Sequence, residues 1–202
     1  MIDCMIKKVI NKILKQNNPV SRFSLRLYRK YRVRSFTLKD HRVLDIAGGS
    51  MPLSSEYLNV DISNAPTVDV VTNLLEPLPF DENYVDKVVS VATLEHFNVN
   101  DNRKILSEFL RVLKPGGVLE IGVPSLQKII EQYNKRGCDD EVLRYLHGAL
   151  KDQYDVHFFV VDAERFISEL TTTGFIDAKQ VEYDFPRHSA DFMMKLVAKK
   201  PS

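Results

Sequence analysis

Two groups of residues in this 202-residue chain have types and spacing suited to chemistry. The first is a glycine turn, Ala47-Gly48-Gly49-Ser50, set between Asp45 and Asp61. Glycine carries no Cβ, so a ligand can approach such a backbone closely. An acid at the end of the next strand can accept hydrogen bonds from ribose hydroxyls. Either feature alone fits an ordinary tight turn; together they point to a nucleoside-containing ligand. The full G-x-G-x-x-G pattern of dinucleotide sites is absent, and no helix of normal length fits between Ser50 and Tyr57. The second group is Glu95-His96 with the distant His157, where a carboxylate or imidazole could take a proton from a reacting group. Each also has a plainer reading, Glu95 as a local cap or ion-pair partner and the histidines as hydrogen-bonding members of the fold. His147 and the pair Arg187-His188, which could meet an anionic ligand or lie in a solvated turn, complete the candidates.

The elements that must position these residues can be read from hydrophobic patterning. Arg42–Ile46 is a short apolar run entering the glycine turn, and Tyr57–Ile62 is a second run ending in an acid. Val68–Thr72 is a third, closed by a loop in which Pro77 and Pro79 forbid a helix, and Val85–Val91 is a fourth. Residues 100–113 show helical spacing through Ile105, Leu106, Phe109, Leu110 and Leu113. Lys114-Pro115-Gly116-Gly117 then ends that helix, and a fifth strand spans 118–123. A helix over 163–172 closes at Thr173-Gly174, and 176–183 and 192–198 read as two final strands. The expected fold class is α/β: a Rossmann-like, doubly wound, mostly parallel sheet with an antiparallel C-terminal edge. Phe158, Phe159, Phe166 and Phe175 are spaced as core under the last helix. Tyr133, Tyr145 and Tyr154 could stack on a sugar or simply pack.

Charge divides the chain unevenly. Residues 1–40 hold eleven Lys or Arg and two acids, whereas the remainder holds 17 bases and 25 acids, for a net charge of +1. Ile2, Met5, Ile6, Val9, Ile10, Ile13 and Leu14 share one helical face; after Asn17-Asn18-Pro19, Val20, Phe23, Leu27 and Tyr31 form a second stripe. The division is therefore a basic, helical arm over 1–40 and a domain over 41–202. Three readings of the arm stay open: packing on the domain with its bases answering an acidic surface, contact of residues 1–34 with a membrane surface, or a grip on nucleic acid, for which no recognised motif accompanies the bases. No run approaches the roughly 18 apolar residues of a membrane span, and the start lacks a signal-peptide pattern. Cys4 and Cys138 suggest no disulfide framework, and no Cys/His cluster has zinc-ligand spacing, so a cytoplasmic protein without a structural metal is expected.

Five segments in register, Val43-Leu44-Asp45-Ile46-Ala47-Gly48-Gly49, Asn59-Val60-Asp61, Leu78-Pro79-Phe80-Asp81, Leu94-Glu95-His96 and Arg111-Val112-Leu113-Lys114-Pro115-Gly116-Gly117, resemble class I S-adenosylmethionine-dependent methyltransferases. The likeness covers about residues 41–200 and is similar to the type 11 members. The short passage from glycine loop to second strand, with Leu146-His147-Gly148, His157 and Gly174-Phe175, also looks like a subgroup of small methyltransferases linked to surface-glycan biosynthesis. The resemblance implies that S-adenosylmethionine is the cofactor. Asp45 would order the glycine loop and the cofactor's amino-acid end, with the backbone of Ala47, Gly48 and Gly49 close to it. Asp61 would hold the ribose, Ile62 would pack on the adenine, and Asn73 and Leu74 would lie at its edge, Asn73 where the family commonly has an acid. Val91 and Ala92 would flank the methionine portion, and Glu95, His96 and His157 would be the candidate catalytic residues. Ala47 and Met51 stand where the family usually has glycine. The implied activity is methyl transfer to an oxygen or nitrogen of a small molecule or glycan precursor. Alternatives are a non-catalytic scaffold that recruits a partner or membrane through the basic arm, and an RNA methyltransferase.

Overall fold

The computed structural model describes residues 19–202; the apolar face proposed for residues 2–14, and Cys4, lie outside them. The first element is helix α1, Pro19–Thr37, followed by strands β1 (Val43–Ile46), β2 (Leu58–Asp61), β3 (Val70–Val71) and β4 (Val85–Val91). A single 3-10 turn, Leu94–His96, leads to α2 (Val99–Val112) and β5 (Leu113–Pro124). Then come α3 (Leu126–Arg136), α4 (Asp140–His147), α5 (Ala163–Thr173), β6 (Ile176–Val181) and β7 (Met193–Lys199).

The seven strands form one sheet in the order β3-β2-β1-β4-β5-β7-β6. The first five are mutually parallel, and β7 inserts antiparallel between β5 and β6. The order reverses at β1/β4, so the carboxyl ends of those strands open onto a crevice where ligands of such sheets bind. β1 and β2 are buried along their whole length, which is why they read as apolar runs rather than alternating ones. β5 begins earlier than the sequence pattern suggests: Leu113 pairs with Val85 and Val118 with Lys87, so Lys114-Pro115-Gly116-Gly117 is a loop-out within one strand.

No helix connects β1 to β2, β2 to β3 or β3 to β4. On this side α1 contributes instead, burying Leu25, Tyr28 and Phe36, and Phe36 joins the cluster built on Leu44, Ile46, Leu58 and Val60. Arg32, 7% exposed, forks onto Asp69 at 3.0 and 3.2 Å and donates to the carbonyls of Ser55 and Tyr57. The reading in which the arm's stripe packs on the domain does not hold for these residues: Phe23, Leu27 and Tyr31 are 63, 52 and 55% exposed. The apolar period is right but the docked face is displaced, because the strongest single anchor of the helix is an arginine, which a hydrophobic pattern does not count.

On the other half, α2 buries Ile105, Leu106 and Phe109 and α5 buries Phe166 and Leu170 in the same central cluster. A second cluster of Ile129, Val142, Tyr145, Phe192 and Met193 fixes α3 and α4 near the end of β7. Of the four phenylalanines expected as core, Phe159, Phe166 and Phe175 are buried, whereas Phe158 is 63% exposed. Among the described residues no helix is long and apolar enough to cross a membrane.

Candidate functional site

The glycine turn follows β1 directly and is held by its neighbours. Ala47 N donates to Val60 O at 2.7 Å, Met51 N donates to Gly48 O, and Gly49 O accepts from Asn59 Nδ2 and Thr67 Oγ1. Gly48 is required by space: a Cβ there would come within 2.5 Å of Asn59 Oδ1 and 2.8 Å of Asp45 Oδ2. Ala47, by contrast, adopts a left-handed φ of 56° that ordinarily selects glycine, so the departure from glycine at this position is a strained one.

Two acids flank the turn. Asp45 is fully buried; its Oδ2 accepts from Leu53 N at 2.6 Å, while Oδ1 has no hydrogen-bond partner and lies 3.6 Å from an Arg187 nitrogen. Burial pushes the Asp45 carboxyl above the usual carboxylate range, and Leu53 N–H and Arg187 pull it back. Asp61 accepts from Gly49 N at 3.0 Å on one oxygen and from Ser63 N at 2.7 Å on the other. Each of its oxygens keeps a lone pair free for a hydroxyl.

Above these residues lies a cavity of about 410 Å³ lined by Ala47, Asp61, Ile62, Asn73, Leu74 and Ala92, together with Thr93, His96, Phe97 and Phe158. The volume falls within the range of roughly 300–1,000 Å³ common for small-ligand sites. The half-exposed Ile62 offers an apolar surface beside the acid. Asn73 Oδ1 accepts from Leu75 N at 3.0 Å, so part of its accepting capacity is spent on its own turn. Asp45, Gly48, Gly49 and Val91 are not among the residues that line this cavity; Gly49 reaches it only through its N–H bond to Asp61. The residues that sequence reasoning missed, Thr93 and Phe97, follow β4 directly; Phe158 carried the pattern of a core residue and gave no such signal.

A second cavity, about 260 Å³, shares Ala47, Ala92 and His96 with the first and extends past Val91 to Glu95 and His157. Its lining also carries Arg144, Lys151, Arg187 and His188, with Asp155. The irregular segment between α4 and α5 brings His157 here: Phe158 N and Phe159 N both donate to Glu95 O, at 2.7 and 3.2 Å. His96 and His157 meet edge to face at 4.9 Å between ring centres. Their Nδ1 atoms lie 3.1 Å from Val156 O and 2.9 Å from Tyr145 O. Burial lowers the pKa of both rings, which favours their neutral form. Burial raises the Glu95 carboxyl to about 8, against the backbone N–H groups of Glu95 and Thr93, which favour its charged form. The three candidate catalytic residues are thus together, whereas the tyrosines part: Tyr145 is buried and stacked on Phe192, Tyr154 is exposed and lines the first cavity, and Tyr133 is exposed.

Comparison with known proteins agrees with this geometry. Residues 35–121 match the family model described as a methyltransferase domain. A ubiquinone/menaquinone biosynthesis C-methyltransferase of Francisella philomiragia is 30% identical over 157 residues, covering 58% of this chain and 62% of that protein. A demethylmenaquinone methyltransferase of Renibacterium salmoninarum is 34% identical over 96 residues, 40% of each chain. The chain spans between 40 and 68% of the length of these curated relatives. Among solved structures, an S-adenosylmethionine-dependent methyltransferase of Methanosarcina mazei aligns with a TM-score of 0.58 at 19% identity, covering 84% of this chain and 96% of that one. A Thermotoga maritima methyltransferase of the same kind aligns at 0.55 and 18%, covering 86% and 88%. The Haemonchus contortus phosphoethanolamine N-methyltransferase 2, solved with S-adenosylmethionine, aligns at 0.53 and 16%, covering 87% and 52%.

The fit to that cofactor rests on this chain's own atoms: a buried acid with an unpartnered oxygen, a turn with no room for a Cβ at Gly48, and an acid at the end of β2 facing an apolar wall. The strand order and the alignments give this chain the Rossmann-like fold of methyltransferases, residues 35–121 match a methyltransferase domain, and these features fit S-adenosylmethionine as a cofactor.

Proposed function

We propose that the protein transfers a methyl group from S-adenosylmethionine to an oxygen or nitrogen of a small-molecule acceptor, with glycan precursors as the class to test first. The observation that carries this reading is the pair of adjoining cavities, one with the acid and apolar wall suited to a nucleoside and the other lined by ionisable and imidazole groups. When bound, the cofactor supplies a methyl group on a sulfonium, already activated toward displacement. The protein's work is to align and enclose the reacting groups. Asp61 would hold the ribose hydroxyls, Ile62 and Leu74 would pack on the base, and Asn73 would lie at its edge. Asp45 and the Ala47–Gly49 backbone would receive the amino-acid end, with Val91 and Ala92 alongside.

The acceptor would enter the second cavity. There His96 or His157, each neutral with one ring nitrogen bonded to a carbonyl, can accept a hydrogen bond from its hydroxyl or amine and aim the lone pair at the methyl group. Glu95 lines the same cavity, and Arg144 and Arg187 can meet an anionic substituent. Carbon methylation of a quinone ring is the second reading, favoured by the names of the curated relatives. The charged lining of the second cavity favours the polar acceptor.

Calorimetric titration with S-adenosylmethionine, with Asp61→Ala in parallel, tests the cofactor half of the reading. Asp61 would lose its charge-assisted bonds, each worth roughly 1.5–3 kcal/mol, so binding should weaken by about 10²-fold or more. An Asp61→Ala protein that binds within a few-fold of the parent would overturn it. Transfer of labelled methyl from the cofactor to sugar phosphates, amines and short-chain quinones then decides the acceptor class.

A further inference from the structure

We propose that Glu95, His96 and His157 form a binding site for a divalent transition-metal cation of the zinc, cobalt, nickel or iron(II) class. The inference rests on the reading of the second cavity as the acceptor's place and adds what would hold the acceptor there.

Geometry carries it. One potential ligand atom from each of the three residues lies within 4.8 Å of the other two. The carbonyls of Val156 and Tyr145 can only accept, so Nδ1 of His96 and Nδ1 of His157 each carry the ring hydrogen and donate it. In a neutral ring this leaves Nε2 with a bare lone pair. Imidazoles that ligate metals are oriented in the same way, their other nitrogen tied to a carbonyl or carboxylate. Glu95 is 1% exposed, and its Oε2 has no hydrogen-bond partner among the described residues. One nitrogen of each ring and a carboxyl oxygen of the buried Glu95 therefore lie together, and a cation bound there would displace the proton that burial favours on that carboxyl. Two imidazoles and one carboxylate are a known donor set for zinc and iron(II) sites that keep open positions.

The surroundings suit the arrangement. The same cavity is lined by Asp155 and by Arg144, Lys151, Arg187 and His188, which would meet an acceptor's anionic group. Two backbone hydrogen bonds to Glu95 O pin the segment that carries His157, so the three side chains are fixed before anything binds. A cation held there would keep coordination positions open to the cavity. An acceptor hydroxyl bound to it would release its proton to solvent and present an oxyanion. That oxygen would take the methyl group as the C–S bond of the sulfonium breaks, leaving neutral S-adenosylhomocysteine.

The test is calorimetry of the full chain, stripped with a chelator and dialysed, titrated with Zn²⁺ and separately with Co²⁺, whose visible absorption also reports its ligand geometry. The expected result is saturable 1:1 binding that weakens at least tenfold in His157→Gln and in Glu95→Gln. No saturable binding up to millimolar metal overturns the proposal, as does binding that ignores both variants, which would place the metal elsewhere, for example at the exposed Cys138. Titrating each variant with S-adenosylmethionine shows whether it is folded, since neither His157 nor Glu95 lines the cofactor cavity. Failure of the parent protein to bind the cofactor while it binds the metal would sink the methyl-transfer reading and spare this one. Cofactor binding without metal binding would do the reverse, leaving the three groups as hydrogen-bond acceptors.

Discussion

Replacing Arg32 by Met keeps most of the side-chain stem but removes every donor that α1 sends into the sheet edge through this residue. Asp69 would be left 6% exposed, with Asn59 N at 3.0 Å as its remaining donor, and the carbonyls of Ser55 and Tyr57 would each lose a partner. Both charged side chains are nearly inaccessible, 8 and 5% exposed, so solvent screening relieves little of the penalty. Removing one member of such a buried pair costs about 3–5 kcal/mol. For a chain of this length each kcal/mol lowers Tm by roughly 2–4 °C, so the midpoint should fall by about 6–20 °C. Thermal and urea unfolding followed by circular dichroism would read it. A single cooperative transition is expected, because Phe36 of the same helix lies in the central core. The double variant Arg32→Met/Asp69→Leu should recover part of the loss, since an apolar replacement of the whole pair is often close to neutral. A fall under about 1 kcal/mol for Arg32→Met, or a double variant worse than the sum of the singles, would refute the account.

Ala47→Gly should raise the unfolding free energy by up to about 1 kcal/mol, read as a higher urea midpoint, because the left-handed φ of 56° costs alanine more than glycine's extra unfolded-state entropy does; an unchanged or lower midpoint would contradict this. Gly148→Ala would place a Cβ on the Asp155 carbonyl at a φ of 90°, displacing the segment that carries His157. Methyl transfer should then drop by roughly 10²-fold while cofactor affinity, measured by calorimetry, stays within a few-fold, since a misplacement of about 1 Å is enough to cost that much. Equal losses in both would mean the segment supports the cofactor cavity as well.

The sequence by itself determined the sheet and the placing of Asp45, the glycine turn and Asp61 at its strand ends, for a physical reason: both depend on local patterns. Val43–Ile46 and Leu58–Asp61 are apolar because buried strands must be, and their carboxyl ends deliver Asp45, the glycine turn and Asp61 within a few residues of each other. Only the tertiary structure decided matters that join distant segments. The docked face of α1 depends on an arginine meeting Asp69, 37 positions later, and not on the apolar stripe of Phe23, Leu27 and Tyr31. Phe158 and Phe159 both donate their backbone N–H to the Glu95 carbonyl, but in this irregular segment only Phe159 turns its ring into the core. The same bonds bring His157 to His96 across 61 positions, a constellation with no spacing to read in the chain because backbone hydrogen bonds from an irregular segment, and not a helical or strand period, assemble it.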